Sequence, residues 1–306
     1  MRPLTAISGG LLLAACLLAT GASAQTGGSD GLSPTLLAIK NAHTVRLGYR
    51  ESSPPFSFLD QANRPIGYSL ELCEAIVEEI GVEVDDPNLK IEYVKVTSDD
   101  RIPAVVQGTI DLECGSTTAN AERAKQVAFS PLMFVAGTKL MVPKDSTISA
   151  PKDLQGKTIV VTKGTTNEQA MHAVDKKYNL GLNIVTAGDH EQSYQMLVDG
   201  KVAAFATDDI LLYGLIARHK SQDKFKVTGD YLSYDPYGIM FRKGEPQLSA
   251  VVDRTFRKLG SNHDLIPLYN KWFVSRLPTG ERLNVGISPQ LEDAFKALDD
   301  SDGVSN

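Results

Sequence analysis

From Val45 onward, short β-branched runs alternate with amphipathic helical stretches. That order confines the chain to the α/β class, in which helices cover a largely parallel sheet. Val45-Arg46-Leu47-Gly48-Tyr49 reads as a strand, closed by a turn at Ser53-Pro54-Pro55. Leu70, Cys73, Ile76, Val77 and Ile80 share one face of a helix expected to stop at Gly81. Residues 91–96 form a second strand, after which Ser98 is a candidate N-cap for a segment carrying Arg101. Ile110, Leu112 and Cys114 alternate with Asp111 and Glu113, as a strand running into Gly115 would. Strands over 157–162, 183–186 and 202–206 repeat the pattern, with a helix opened by Gly164-Thr165-Thr166-Asn167. A strand over 237–242 and two helices follow, one carrying Val251, Val252, Phe256 and Leu259, the other ending near Trp272 and Phe273.

A chain of 306 residues has room for one large domain or two. Its 42% hydrophobic and 22% charged residues exclude a disordered, collagenous or polytopic membrane protein. A net charge of −6 argues against nucleic acid as a partner. The same acidic shell repels small anions at long range, so an anion site would have to be built from local arginines.

The first 24 residues read as a signal peptide. Arg2 supplies the basic start, residues 11–18 the apolar core, and Ala22-Ser23-Ala24 the cleavage pattern. The exported chain would then begin at Gln25, with residues 25–35 as a Gly/Ser-rich flexible leader. Leu13-Ala14-Ala15-Cys16 also resembles a lipoprotein box, the alternative in which Cys16 is lipidated. Export places Cys73 and Cys114 in an oxidising compartment, where a disulfide is expected and two buried free thiols are the alternative. Two cysteines without neighbouring histidine make no zinc site, and His43, His172, His219 and His263 show no metal spacing. Gly156-Lys157-Thr158 is no phosphate loop, because Pro151 stands where the motif needs glycine. The acidic end, from Asp299 on, is expected to fray.

Function in α/β sheets gathers at the carboxyl ends of strands. Those positions carry Arg50, Ser98, Arg101, Ser116-Thr117-Thr118, Thr165-Thr166, His190 and Asp208-Asp209, with Arg123 shortly after the third strand. Taken singly, the arginines read as surface residues paired with nearby carboxylates, and Ser98, Ser116, Thr166 and Asp208 as helix caps. Taken together, three arginines, several hydroxyls and one acidic pair suit an acidic amino acid, which offers two carboxylates to guanidinium forks and one ammonium to an acceptor.

Arg50-Glu51-Ser52-Ser53-x-Pro55-Phe56-Ser57, Thr97-Ser98-x-x-Arg101-Ile102-Pro103, Glu113-Cys114-Gly115-Ser116-Thr117-Thr118-x-Asn120-x-Glu122-Arg123, Val161-Thr162-x-Gly164-Thr165-Thr166 and Asp189-His190 closely resemble the glutamate/aspartate-binding proteins of bacterial ABC transporters. The resemblance runs from about residue 36 to about residue 298. It implies a two-lobe type II periplasmic-binding-protein fold with two hinge strands and ligand in the interlobe cleft. Lobe 1 would span 36–136 plus 236–280, lobe 2 137–235, and 281–306 a C-terminal tail with a short helix. Arg123, Thr118 and the helix start at Thr166 would hold the α-carboxylate, Ser116 and Asp208 the ammonium, and Arg50, Ser98, Arg101 and His190 the side-chain carboxylate. The implied partners are L-glutamate or L-aspartate and a membrane ABC permease. The implied protein is a periplasmic monomer that uses no metal or cofactor and catalyses nothing. A dehydratase or lyase on the same scaffold is the rival function, since fold does not fix function. A receptor sensor domain is disfavoured because no membrane-spanning stretch follows Trp272.

Overall fold

The computed structural model describes residues 31–299. The expected signal peptide, Cys16, residues 25–30 and residues 300–306 lie outside the described residues. The first helix, α1 (Pro34–Ala42), takes in Pro34 and Thr35, which the leader was expected to include. Thr35 is tied down there, donating from its backbone N at 3.0 Å and its Oγ1 at 2.7 Å to Glu245.

The chain then lays down β1 (Thr44–Tyr49), β2 (Ser52–Ser53), β3 (Ser57–Leu59) and β4 (Pro65–Ile66), followed by α2 (Tyr68–Val84), β5 (Lys90–Lys95), α3 (Arg101–Gln107), β6 (Leu112–Glu113) and β7 (Val127–Phe129). From β8 (Phe134–Ala136) it passes into β9 (Thr138–Pro143), β10 (Thr158–Thr162), α4 (Thr166–Tyr178), β11 (Asn183–Ala187), α5 (His190–Val198), β12 (Ala204–Asp208), α6 (Asp209–Arg218) and β13 (Phe225–Thr228). It returns through β14 (Asp235–Tyr237) to β15 (Met240–Arg242), α7 (Pro246–Ser261), α8 (Leu265–Tyr269) and α9 (Pro289–Asp299).

Two five-stranded sheets result, ordered β5-β1-β6-β15-β7 and β11-β10-β12-β9-β13. In the first, β1 lies parallel to both β5 and β6. In the second, β10 lies parallel to both β11 and β12. β1 and β10 are therefore switch points, where successive connections leave on opposite sides and a crevice opens at the carboxyl end. The chain crosses between the sheets twice, along β8 and β14, which pair antiparallel with Asp235 opposite Ala136 and Tyr237 opposite Phe134. The strand expected over 237–242 is thus two strands, one in this crossing pair and one in the first sheet.

Strand alternation sorts the cores. In the second sheet, Ile159 and Val161 face one cluster with Met171 of α4, whereas Val160 faces another with Tyr194, Leu212 and Leu215 of α5 and α6. The α2 face packs into the first sheet's main cluster with Leu47 and Leu112. Contrary to expectation, α2 runs past Gly81 to Val84 and ends on Asp85, at φ 58°, whose N–H reaches back to Gly81 and Val82 carbonyls. Glycine at 81 serves a close approach instead, because a Cβ there would lie 2.9 Å from the Asp86 carbonyl oxygen as the chain turns back.

A disulfide joins Cys73 of α2 to Cys114, 41 residues apart in sequence and 6.2 Å between Cα atoms. It pins α2 beside the segment carrying Ser116 and Thr118. Closing a loop of this length stabilises a fold by about 4 kcal/mol on chain-entropy grounds. The Cys73→Ala/Cys114→Ala protein is expected to lose about 2–4 kcal/mol in urea denaturation. An unchanged denaturation midpoint would show that the bridge contributes nothing to stability.

Candidate functional site

Arg50 follows β1, Ser98 follows β5, Arg101 opens α3, and Ser116 follows β6, so all four stand at the carboxyl edge of the first sheet. Ser98 does not cap α3. Asp100 holds the N-cap position without a side-chain cap and is bonded to Thr97, whose N–H donates to the Asp100 carboxylate at 2.6 Å and whose hydroxyl accepts from the Asp100 N–H at 3.2 Å. The Ser98 hydroxyl is buried without a hydrogen-bond partner among the described residues, as is that of Ser116. Arg50 and Arg101 are 1% and 2% exposed. Both terminal nitrogens of Arg50 and the Nε of Arg101 are buried without a partner. Burial lowers the affinity of Arg50 for its proton, and neighbouring Arg101 lowers it further, to a pKa of about 10.

On the second sheet, Thr166 opens α4, His190 opens α5, and Asp208 ends β12. The strand expected over 202–206 runs to 208, so Asp208 is its last residue. Here the capping falls to neighbours. Thr165 accepts the Glu168 N–H at 3.2 Å, and Asp189 accepts that of Gln192 at 2.8 Å. Asp208 makes no side-chain cap; it accepts from Asn167 Nδ2 at 2.8 Å and from the Tyr237 hydroxyl. Burial, reinforced by nearby Asp235, raises its pKa to about 7. His190 is held well below the ordinary imidazole value by burial first, then by Arg50 and Arg101, and is therefore neutral.

The two edges meet. His190 Nδ1 is 3.0 Å from the Ser53 hydroxyl. Arg123, in a short 3-10 turn (Arg123–Lys125), donates from Nη1 to the Thr118 carbonyl at 2.9 Å and from Nη2 to the Gly164 carbonyl at 3.4 Å. Thr118 and Thr166 lie 3.1 Å apart at their hydroxyls, and both donate to Asp235 Oδ1, at 3.0 and 2.7 Å. Gly164 allows the approach: its φ is +76°, and a Cβ would come within 2.7 Å of the Asp99 Cα. All nine residues expected from the sequence thus stand at the facing edges, and none of the three arginines forms an ion pair with a described residue.

Sequence reasoning missed Asp235, Tyr237, Asn167, Ser53 and Glu113. Nothing local in Asp235-Pro236 announces that β14 would carry Asp235 to both Thr118 and Thr166. Asn167 stood next to Thr166 in the helix-opening run but was not singled out. Its amide joins Asp208 to Thr138, at 2.8 and 2.7 Å.

Two α/β halves joined by a pair of antiparallel strands, with charged side chains from both at the junction, define a two-lobed binding protein of the type II periplasmic class. The chain belongs to the bacterial extracellular solute-binding proteins, family 3, whose model matches residues 45–275. It is 42% identical over 266 residues to the L-glutamate/L-aspartate-binding protein of Pseudomonas aeruginosa, covering 86% of this chain and 88% of that protein. It is 36% identical over 289 residues to the glutamate/aspartate import solute-binding protein of Escherichia coli, covering 93% and 95%. Among solved structures, a mutant of ArgBP from T. maritima matches with a TM-score of 0.70 at 27% identity, over 79% of this chain and 100% of that one.

The two titrating groups act oppositely on stability. Asp208 has a raised folded pKa, so its favourable contribution is complete below about 4 and is lost as pH rises through about 7. His190 has a lowered one, so its contribution is complete above about 6.5 and is lost as pH falls. Relative to wild type, Asp208→Asn should therefore gain stability as pH rises from about 5 to 7, and His190→Asn should lose it over about 5 to 6.5. Urea midpoints of the unliganded proteins across that range check both signs, and parallel profiles would refute the shifts.

Proposed function

We propose that the protein captures L-glutamate and L-aspartate in the periplasm and delivers them to a membrane ABC permease. It is a solute-binding protein and not an enzyme, in keeping with its glutamate/aspartate-binding relatives, which it matches over 88% to 95% of their lengths. The observation that carries the ligand reading is the set of buried guanidinium nitrogens on Arg50 and Arg101 with no acceptor among the described residues. A buried cation of this kind demands an anionic partner, and a planar fork suits a carboxylate.

In this reading Arg50, Arg101, Ser98 and neutral His190 surround the side-chain carboxylate. Arg123, Thr118 and the start of α4 at Thr166 hold the α-carboxylate. Ser116 and Asp208 accept from the ammonium, whose charge would draw Asp208 into its ionised form. Because His190, Thr166 and Asp208 follow β8 and precede β14 while the other six residues all precede β8, a bound ligand would join both halves and favour their closed arrangement. The lobes divide at the crossing strands, near residues 136 and 236. Replacing the ligand's carboxylate by an amide would leave guanidinium charge uncompensated, at a cost on the order of 3–5 kcal/mol. Glutamate and aspartate differ by one methylene, worth roughly 1–3 kcal/mol.

A thermal-melt screen against the twenty amino acids tests the reading. A ligand at about 100 times its dissociation constant adds about 2.7 kcal/mol. Large shifts are expected for glutamate and aspartate and small ones for glutamine, asparagine, lysine and leucine. Arg123→Ala should abolish binding of every amino acid, whereas Arg101→Ala should relax the preference for acidic ones. A largest shift with glutamine or a basic amino acid would overturn the assignment of Arg50 and Arg101.

A further inference from the structure

We infer that Glu113 is the buried counter-charge that lets three guanidiniums share the site, and that it thereby sets how much negative charge a ligand can bring. The inference deepens the acidic-amino-acid reading and rests on it. Glu113 ends β6 and is 0% exposed. The Thr117 hydroxyl donates to its Oε2 at 2.6 Å, while Oε1 is buried without a hydrogen-bond partner. A Cβ placed on Gly115 would stand 2.3 Å from Oε1 and 3.1 Å from Arg50 Cγ. The carboxylate therefore lies close to the stem of Arg50 beside Gly115, where a larger residue would displace it.

Two features separate this residue from an ordinary ion-pair partner. No ion pair within 4.0 Å joins Glu113 to any described cation, so it adds negative charge without occupying guanidinium donors. Burial weakens the proton affinity of Arg50, Arg101 and Arg123 alike, and among the carboxylates opposing that loss Glu113 acts most strongly on each. The two other buried carboxylates at the facing edges, Asp208 and Asp235, are engaged otherwise. Asp208 accepts from Asn167 and Tyr237 and stands where the ammonium would bind. Asp235 accepts hydroxyls from Thr118, Thr166 and Ser233. With an acidic amino acid bound, its two carboxylates and Glu113 together face three guanidiniums. Without Glu113 the surplus positive charge favours a more anionic ligand.

The test compares L-glutamate, net charge −1, with glutarate, the same carbon chain without the ammonium and net charge −2. Isothermal titration of wild type and Glu113→Gln gives the ratio of the two dissociation constants in each protein. Loss of the ammonium contact is common to both proteins and cancels in the comparison. Removing one charge near the site should lower the glutarate-to-glutamate ratio about tenfold or more in Glu113→Gln. Glu113→Asp, which keeps the charge, should leave the ratio within about twofold of wild type. An unchanged ratio in Glu113→Gln, or equal weakening of both ligands, overturns the inference while wild-type glutamate binding leaves the site reading standing. Wild type that binds no acidic amino acid overturns the site reading, and this inference with it. Should Glu113→Gln be too unstable to titrate, the ligand that restores its far-UV signal decides: preferential rescue by glutarate supports the inference, and equal rescue or none overturns it.

Discussion

Three guanidinium groups buried at one place, with no carboxylate of the described residues in ion-pair contact, form the constraint around which the site is arranged. An unpaired buried cation costs several kcal/mol even after the surroundings relax, so such a cluster persists only where the fold over-determines it. Here each arginine is fixed by a separate device. Arg50 follows β1, an interior strand of the first sheet, Arg101 lies in the first turn of α3, and Arg123 is held by carbonyls of Thr118 and Gly164. The disulfide between Cys73 and Cys114 anchors the strand end behind them to the helix that covers it.

The helix starts show how the fold keeps polar side chains at the facing edges out of helix capping. A residue at a helix N-terminus ordinarily spends its side chain on a backbone N–H. At α4 and α5 that duty falls to Thr165 and Asp189, whereas at α3 the N-cap position is held by Asp100, which makes no side-chain cap and is bonded instead to Thr97. The adjacent Ser98, Thr166 and His190 are released from capping and turn to the junction between the sheets. The sequence could be read as caps at Ser98, Thr166 and Asp208 because hydroxyls and carboxylates before a helix do look alike. Only the hydrogen bonds distinguish the capping residue from its neighbour.

The α/β class, most element positions and the edges bearing charge were legible because periodicity and turn residues are local signals. Gly81 was misread for a physical reason: a glycine late in a helical run marks either a stop or a close backbone approach, and the approaching Asp86 segment is not visible in the helix itself. The single strand expected over 237–242 was misread because one apolar run serves two sheets, and the change of partner between Tyr237 and Met240 is set by tertiary pairing. Asp235 and Glu113 carried no local mark for the same reason. Each acts on residues distant in the chain, Asp235 on Thr118 and Thr166, Glu113 through space on arginines from three separate segments.

These missed carboxylates change how the charge of the protein is understood. The chain is acidic overall, which alone would repel an anion. Burial isolates the interior from that shell, and the field there is set by a few fixed groups at short range in a medium of low effective dielectric. Three arginines opposed by Glu113 and by hydroxyl-bound Asp235 make a site whose cationic excess is small, because unopposed guanidiniums would repel one another in the unliganded protein. A small excess is also what discrimination requires. A strongly cationic site would accept any polyanion, whereas one balanced to near neutrality is sensitive to each unit of charge and each unpaired donor that a ligand leaves behind.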